Sequence, residues 1–270
     1  MNKFFNHFIL ALMPLMILAT SCGAVSQTSS NDNPVLHQKR NNTRSLYETS
    51  AYGTVTEKIV AVKVFPYTTF SVIGDSYSTF KGHTTLANAA QYYPQNGVGN
   101  NKVTQLEQTW WSCLQEITGC KLIENNSWSG STICNTGYGG LNATANSFLT
   151  RSSQVGDPEL ILIFGATNDS WANAPLGEYK YKDWTEKELF SYRPALAKML
   201  NGLKAAHPKA KIAFILNSDL KQEIDESTLT ICKHYDVQVI ELIDIEKTQG
   251  HPTIIGMQSI AKQISEALAI

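Results

Sequence analysis

Four short blocks of this chain hold residue types that could carry out acyl chemistry together. The first is Gly74-Asp75-Ser76, reached directly from the apolar run Phe70-Ser71-Val72-Ile73. The second is Asn126-Ser127-Trp128-Ser129-Gly130-Ser131, the third Gly165-Ala166-Thr167-Asn168-Asp169, and the fourth Gly250-His251-Pro252 near the C-terminus. A serine hydroxyl is a poor nucleophile until a neighbouring base takes its proton. Ser76, in a tight turn after a strand, would project its hydroxyl into a cleft. His251 is the candidate base, and would later protonate a leaving alcohol. Attack on a carbonyl creates an oxyanion, and fixed donors aimed at that charge are worth roughly 10²–10³ in rate apiece. Taken singly, each residue has a plainer use. Ser76 could cap a helix, Gly130 could make a turn, Asn168 could close an Asx-turn, and His251 could be a solvated surface side chain. Their joint occurrence, in this order, is what points to chemistry.

Bringing residues so far apart in sequence to one place requires a particular scaffold. Apolar runs of strand length alternate with longer helical patterns. Strands are expected at Thr69–Ile73, Lys121–Asn125, Glu159–Phe164, Lys211–Leu216 and Val237–Ile243. Helices are expected at Leu106–Ile117, Asn142–Ser153, Glu186–Ala206, Gln222–Tyr235 and Thr253–Ala269. Glu-Leu-Ile-Leu-Ile-Phe is apolar without alternation, the mark of a strand covered on both faces. Strand–helix alternation with such strands predicts a three-layer α/β sandwich of flavodoxin-like kind with about five parallel strands. Lys58–Val64 could add an edge strand. Ligands in such sheets bind beyond the C-terminal strand ends. That rule places Ser76 after the first strand, Ser129-Gly130 after the second, Asn168 after the third and His251 after the fifth, on one rim.

The order and content of the blocks resemble the SGNH (GDSL-like) hydrolases, whose four name-giving residue types stand here as Ser76, Gly130, Asn168 and His251. The resemblance runs from Phe70 to Ile270. It implies a serine ester hydrolase with Ser76 as nucleophile and His251 as base. It also implies an oxyanion hole of the Ser76 and Gly130 backbone N–H groups and the Asn168 amide, and no cofactor. In one place the chain departs from the family. Relatives usually carry aspartate three residues before the histidine, and Thr248 stands there. Threonine supplies no charge to orient an imidazolium. Asp244 or Glu246 could loop back to do so, a backbone carbonyl could leave a Ser-His dyad, or the site could bind without turnover. A smaller departure is Ala166, where many relatives have a second glycine; its methyl group is expected to do little harm.

The remainder of the chain bounds the setting. Residues 1–22 read as an export signal: a basic start at Lys3 and His7, an apolar stretch from Phe8 to Leu18, then Ala19-Thr20-Ser21-Cys22. That stretch is short for a membrane span, and its ending resembles the lipobox of bacterial lipoproteins, with Cys22 as lipid acceptor. Residues 23–52 are rich in Ser, Asn, Thr and Gln and read as a flexible tether, leaving residues 53–270 as one domain. A net charge of −1, with no basic stretch, argues against nucleic acid. Cys113, Cys120, Cys134 and Cys232 could pair or remain free, and no Cys-x-x-Cys or His-x-x-x-His spacing supports a metal. Tyr77, Trp128 and Trp171 flank the blocks. Tyr92-Tyr93-Pro94 and Tyr179 to Trp184 fall in long connections, where flat rings could stack on sugars or pack the loops down. The expectation is an exported, membrane-anchored esterase removing acetyl or short acyl groups from a glycan. The alternatives are a lipase or lysophospholipase, and a noncatalytic glycan-binding lipoprotein.

Overall fold

The computed structural model describes residues 43–49, 55–61, 63–94 and 101–270. The expected export signal and the expected tether outside 43–49 lie outside these residues. Within them, β1 (Thr43–Thr49) pairs antiparallel with β2 (Val55–Ala61) in a two-stranded hairpin. The end of the expected tether is therefore a strand, and the strand expected at Lys58–Val64 pairs with it rather than with the main sheet. An antiparallel partner joined by a short connection satisfies the backbone locally, whereas a parallel edge position needs a long crossover.

The main sheet is built from β3 (Thr69–Gly74), β4 (Lys121–Ser127), β5 (Leu160–Gly165), β6 (Lys211–Leu216) and β7 (Gln238–Glu241). All five strands are parallel, in the order β4-β3-β5-β6-β7. Counted from the first of them this is the flavodoxin-like order, with a switch point where β4 and β5 flank β3. Alternate side chains divide the core into two layers. Phe70, Val72, Leu160, Leu162 and Phe164 pack against α1 (Trp110–Thr118) and α6 (Ile254–Leu268). Ile73, Ile161, Ile163, Ile212 and Phe214 pack against α4 (Tyr192–Ala206) and α5 (Gln222–His234). Every residue of β5 is buried, which is why its sequence shows no alternation. The three-layer α/β/α sandwich expected from the sequence is the observed fold.

Three helices are shorter than their patterns suggest, the first because Leu106–Gln108 forms a separate 3₁₀ turn and α1 starts only at Trp110. Of Asn142–Ser153, only α2 (Phe148–Arg151) is helical, starting where the Ser147 side chain accepts the Thr150 N–H. The long helix expected from Glu186 starts at Tyr192. Ahead of it the Glu188 carboxylate takes the Lys180 ammonium at 2.8 Å and the Thr185 N–H at 2.7 Å, which holds a separate turn. A further short helix, α3 (Thr167–Trp171), follows β5 directly. Cys113, Cys120, Cys134 and Cys232 are free and buried. Burial pushes the Cys120 and Cys232 thiols up to about 12, so they stay protonated at neutral pH. Among the described residues no helix is long and apolar enough to cross a membrane.

The C-terminal ends of β3 and β4 are joined through one buried cation. Arg151, only 1% exposed, ends α2. Its Nη2 donates to the Gly74 carbonyl at 2.7 Å and to Ser131 Oγ at 2.8 Å. Nη1 donates to the Asn126 carbonyl and to Asn126 Oδ1, and Nε donates to the Asn146 carbonyl at 3.0 Å. Burial lowers its pKa to about 9, with Asp75 pulling it back up. Replacing Arg151 with Met removes a donor from each of these acceptors, although the Gly74 carbonyl keeps the Trp128 N–H at 3.1 Å. At ~1–3 kcal/mol for each buried group left unsatisfied, the variant should lose about 3 kcal/mol or more in urea unfolding. A loss below about 1 kcal/mol would show that the cation joins nothing of consequence.

Candidate active site

The turn after β3 leaves the Ser76 hydroxyl free for chemistry because its neighbour does the capping. Asp75 Oδ1 accepts the Tyr77 N–H at 3.0 Å, so Asp75, not Ser76, caps the short 3₁₀ turn Ser76–Ser78. Gly74 is required by close packing. A Cβ there would lie 2.5 Å from Ser127 Oγ and from both side-chain atoms of Ser78. Asp75 is fully buried, and burial raises its carboxyl to about 7 against the opposing pull of the Tyr77 N–H and Arg151.

His251 arrives on a hairpin beyond β7. β8 (Lys247–Thr248) pairs antiparallel with β9 (His251–Pro252), and Thr248 sits opposite His251 in the register. The two-residue turn has Gln249 at φ 50° and Gly250 at φ 76°, the primed-turn geometry that suits a tight hairpin. It aims the Gln249 carbonyl back at the ring, with His251 Nδ1 3.3 Å from that oxygen. A carbonyl can only accept, so Nδ1 carries the proton and Nε2 is left as acceptor. Nε2 lies 2.9 Å from Ser76 Oγ. Of the three orienting devices open from the sequence, the backbone carbonyl is the one observed. Asp244 is exposed, and Glu246 Oε1 is taken by the Thr253 hydroxyl. Burial lowers the His251 pKa below its ordinary value, and the Gln249 carbonyl only partly offsets this.

The hairpin is fastened to the sheet through aromatic side chains. The Tyr77 hydroxyl donates to the Gly250 carbonyl and accepts from Asn217 Nδ2 at 3.2 Å. The Tyr93 hydroxyl donates to the Pro252 carbonyl at 3.0 Å. Tyr92, expected as a sugar platform or loop packing, instead stacks on the His251 ring, with centroids 3.6 Å apart and planes at 7°. Trp171 meets the same ring edge-on at 5.9 Å and is 40% exposed. Tyr181 and Trp184 pack their loop down, Tyr181 stacking on His234 at 3.8 Å and Trp184 joining the core.

The remaining predicted residues gather beside the pair. Asn168, at the start of α3, donates from Nδ2 to Asp75 Oδ2 at 3.4 Å, while its Oδ1 accepts the Tyr138 hydroxyl at 2.7 Å. That leaves the second amide hydrogen uncommitted. Gly130 sits at φ 78°, and a Cβ there would meet nothing within 4 Å. Left-handed backbone, rather than crowding by the protein, is what calls for glycine at this position. Among the described residues the N–H groups of Ser76 and Gly130 have no partner. Asp169 holds the loop beyond Gly130 by accepting the Ile133 N–H at 2.8 Å and the Cys134 N–H at 3.2 Å. Ala166, expected to be harmless, lies at φ 72°, where its methyl group costs roughly 1–2 kcal/mol. Tyr138 and Arg151 gave no sequence signal: one lies in a Gly-Tyr-Gly-Gly loop, the other on a helix too short to show periodicity. Among the described residues no group of His, Cys, Asp and Glu could hold a metal.

Residues 68–268 match the family model of GDSL-like lipase/acylhydrolases. A protein of Bacteroides uniformis designated a GDSL-like lipase is 45% identical, with 75% of this chain and 95% of that chain covered and a TM-score of 0.73. A similarly designated protein of Bacteroides ovatus is 44% identical, covering 74% and 97%, with a TM-score of 0.72. A family two carbohydrate esterase of Clostridium thermocellum shares the fold at 15% identity, covering 78% and 66%, with a TM-score of 0.50. No curated protein matches the sequence. The chain belongs to the GDSL-like lipase/acylhydrolase family and is a serine ester hydrolase.

The burial of His251 sets a pH test. Burial disfavours the charged ring, so the imidazole stays neutral, and competent as a base, as the pH falls past 6.5. The acid limb of kcat/KM, and the ring-nitrogen NMR titration of His251, should both have midpoints below 6.5. Midpoints above that value would mean a carboxylate faces the ring.

Proposed function

We propose that the protein removes acetyl or another short acyl group from a glycan through a Ser76–His251 dyad. Ser76 Oγ attacks the ester carbonyl as His251 Nε2 takes its proton. The new oxyanion receives the N–H groups of Ser76 and Gly130 and the uncommitted hydrogen of the Asn168 amide. His251 then gives the proton to the leaving alcohol, and acyl-Ser76 remains. Water, deprotonated by His251, releases the acid and restores the serine. The observation that carries this reading is the 2.9 Å contact between Ser76 Oγ and an Nε2 that can only accept.

The glycan and the short acyl group rest on the surroundings. Trp171 beside His251 and Tyr138 beside Asn168, 40% and 43% exposed, offer aromatic surface suited to a sugar ring. Beneath Ser76 the turn is closely packed, with a Cβ on Gly74 falling 2.5 Å from Ser127 Oγ and the Ser78 side chain, which favours a short acyl group. One observation favours a noncatalytic binder: no carboxylate hydrogen-bonds His251 among the described residues. We also propose that residues 1–22 direct export, that Cys22 carries a lipid, and that the enzyme works outside the cytoplasm, anchored in the periplasm or at the cell surface.

Acetate release from an aryl acetate and from acetylated polysaccharide distinguishes these readings. Ser76→Ala should lower both rates by ~10³-fold or more, and Asn168→Ala by ~10²-fold or more. Equal background rates from wild type and Ser76→Ala, on acetyl and longer acyl esters, would leave a binding protein. A Cys22→Ala variant should move from the membrane fraction to the soluble one, and unchanged fractionation would remove the anchor.

A further inference from the structure

We infer that Tyr92 is a positioning residue for the proton transfer, its ring face holding His251 and supporting the imidazolium, which no carboxylate hydrogen-bonds among the described residues. This rests on the Ser76–His251 dyad proposed above. Proton transfer from Oγ to Nε2 requires the imidazole plane to stay fixed. The hydrogen bond to the ring's other nitrogen is 3.3 Å long, beyond the usual range for N–H···O, and is a weak constraint by itself. Four aromatic rings surround the imidazole. Trp171, Tyr77 and Tyr93 approach it at 69°, 54° and 77°, with centroids 5.9, 5.2 and 6.5 Å away. Tyr92 is the ring lying flat on it, at 3.6 Å and 7°.

That platform is fastened at both ends to the parts it must align. The Tyr92 N–H donates to Thr79 Oγ1 at 2.9 Å, and Thr79 Oγ1 donates to the carbonyl of Ser76 at 3.1 Å. The next residue, Tyr93, holds the Pro252 carbonyl beside His251. Nucleophile, platform and base therefore move together.

The platform also favours the charged state. As the Oγ–H bond breaks, the Nε2–H bond forms and Oγ bonds to the ester carbon, so the imidazole becomes a cation. The titratable groups facing it are Tyr77, Tyr92 and Tyr93, and burial raises all three above the ordinary value of 10.0, so they remain neutral phenols. A cation is drawn to the electron-rich face of an aromatic ring more than a neutral ring is. The attraction therefore grows on the way to the transition state, which lowers the barrier rather than merely tightening binding.

Tyr92→Leu and Tyr92→Phe in the full chain test this, with aryl acetate as substrate and the His251 ring-nitrogen titration as second readout. Tyr92→Leu should lower kcat by about three- to thirtyfold with KM little changed, and should move the titration and the acid limb to lower pH. Tyr92→Phe should keep both near wild type. If Tyr92→Leu does not fold, Tyr92→Met serves as the non-aromatic variant. Unchanged kcat and titration in the non-aromatic variant would overturn the inference. So would a loss of kcat without any shift of the titration, or a Phe variant as impaired as the Leu one. The dyad itself is judged separately: an active Ser76→Ala sinks it, whereas an inactive Ser76→Ala beside an unaffected Tyr92→Leu sinks only the role of Tyr92.

Discussion

Among the described residues no carboxylate hydrogen-bonds the buried guanidinium of Arg151, which takes its partners from neutral oxygens in four separate segments. They are the end of β3 at Gly74, the end of β4 at Asn126, the loop beyond Gly130 at Ser131, and the stretch before α2 at Asn146. Each of those oxygens would itself be costly to bury unpaired. The fixed fork of donors on an arginine can serve several directions at once, which a lysine could not do. Gly74 leads directly into Asp75-Ser76, and Ser131 follows Gly130. One side chain below the rim therefore sets the spacing between the nucleophile turn and the glycine loop. Asp169 completes the brace from the β5 side, holding the same loop through the Ile133 and Cys134 N–H groups.

Above the rim the electrostatics are of another kind. A carboxylate behind the histidine would place a full charge near the imidazolium, worth several kcal/mol at about 4 Å and an effective dielectric constant near 20. A single carbonyl dipole supplies less. Burial lowers the His251 pKa, and the Gln249 carbonyl offsets only part of that. A base of lower pKa is intrinsically weaker, but it remains unprotonated over a wider acidic range. The left-handed Gln249 is part of the same arrangement. Its φ of 50° is unusual for a residue with a side chain, and the turn it makes directs its carbonyl at Nδ1.

The scaffold was legible in the sequence because its signals are local. Fully apolar β5 and the strand–helix alternation specify a covered parallel sheet, and the rule about strand ends then places Ser76, Gly130, Asn168 and His251 on one rim. What could not be read depended on long-range contact. Arg151 lies on a helix of one turn, and Tyr138 sits in a glycine-rich loop. Neither has a pattern, and both matter through residues distant in sequence. The boundary errors have the same origin. Glu188 ends one turn early by binding Lys180 and Thr185, and the strand near Lys58 follows its antiparallel partner. Thr248 was visible as a departure, but sequence alone could not choose between a displaced carboxylate and a carbonyl. The choice is made by hairpin geometry.

The aromatic side chains around Ser76 and His251 differ in exposure, which fits the proposed division between catalysis and recognition. Tyr77 and Tyr93 are nearly fully buried, and their hydroxyls go to backbone carbonyls of the hairpin. Tyr92 is half-buried because one face of its ring lies on His251. A ring committed in this way cannot also offer that face to substrate. Trp171 and Tyr138 keep flat surface open to solvent, and each also contacts the machinery, Trp171 at the His251 ring and Tyr138 at the Asn168 amide. A sugar resting on either would lie within one contact of the base or of an oxyanion donor. Its bound position is then felt directly by the groups that must align, which couples substrate fit to turnover as well as to affinity.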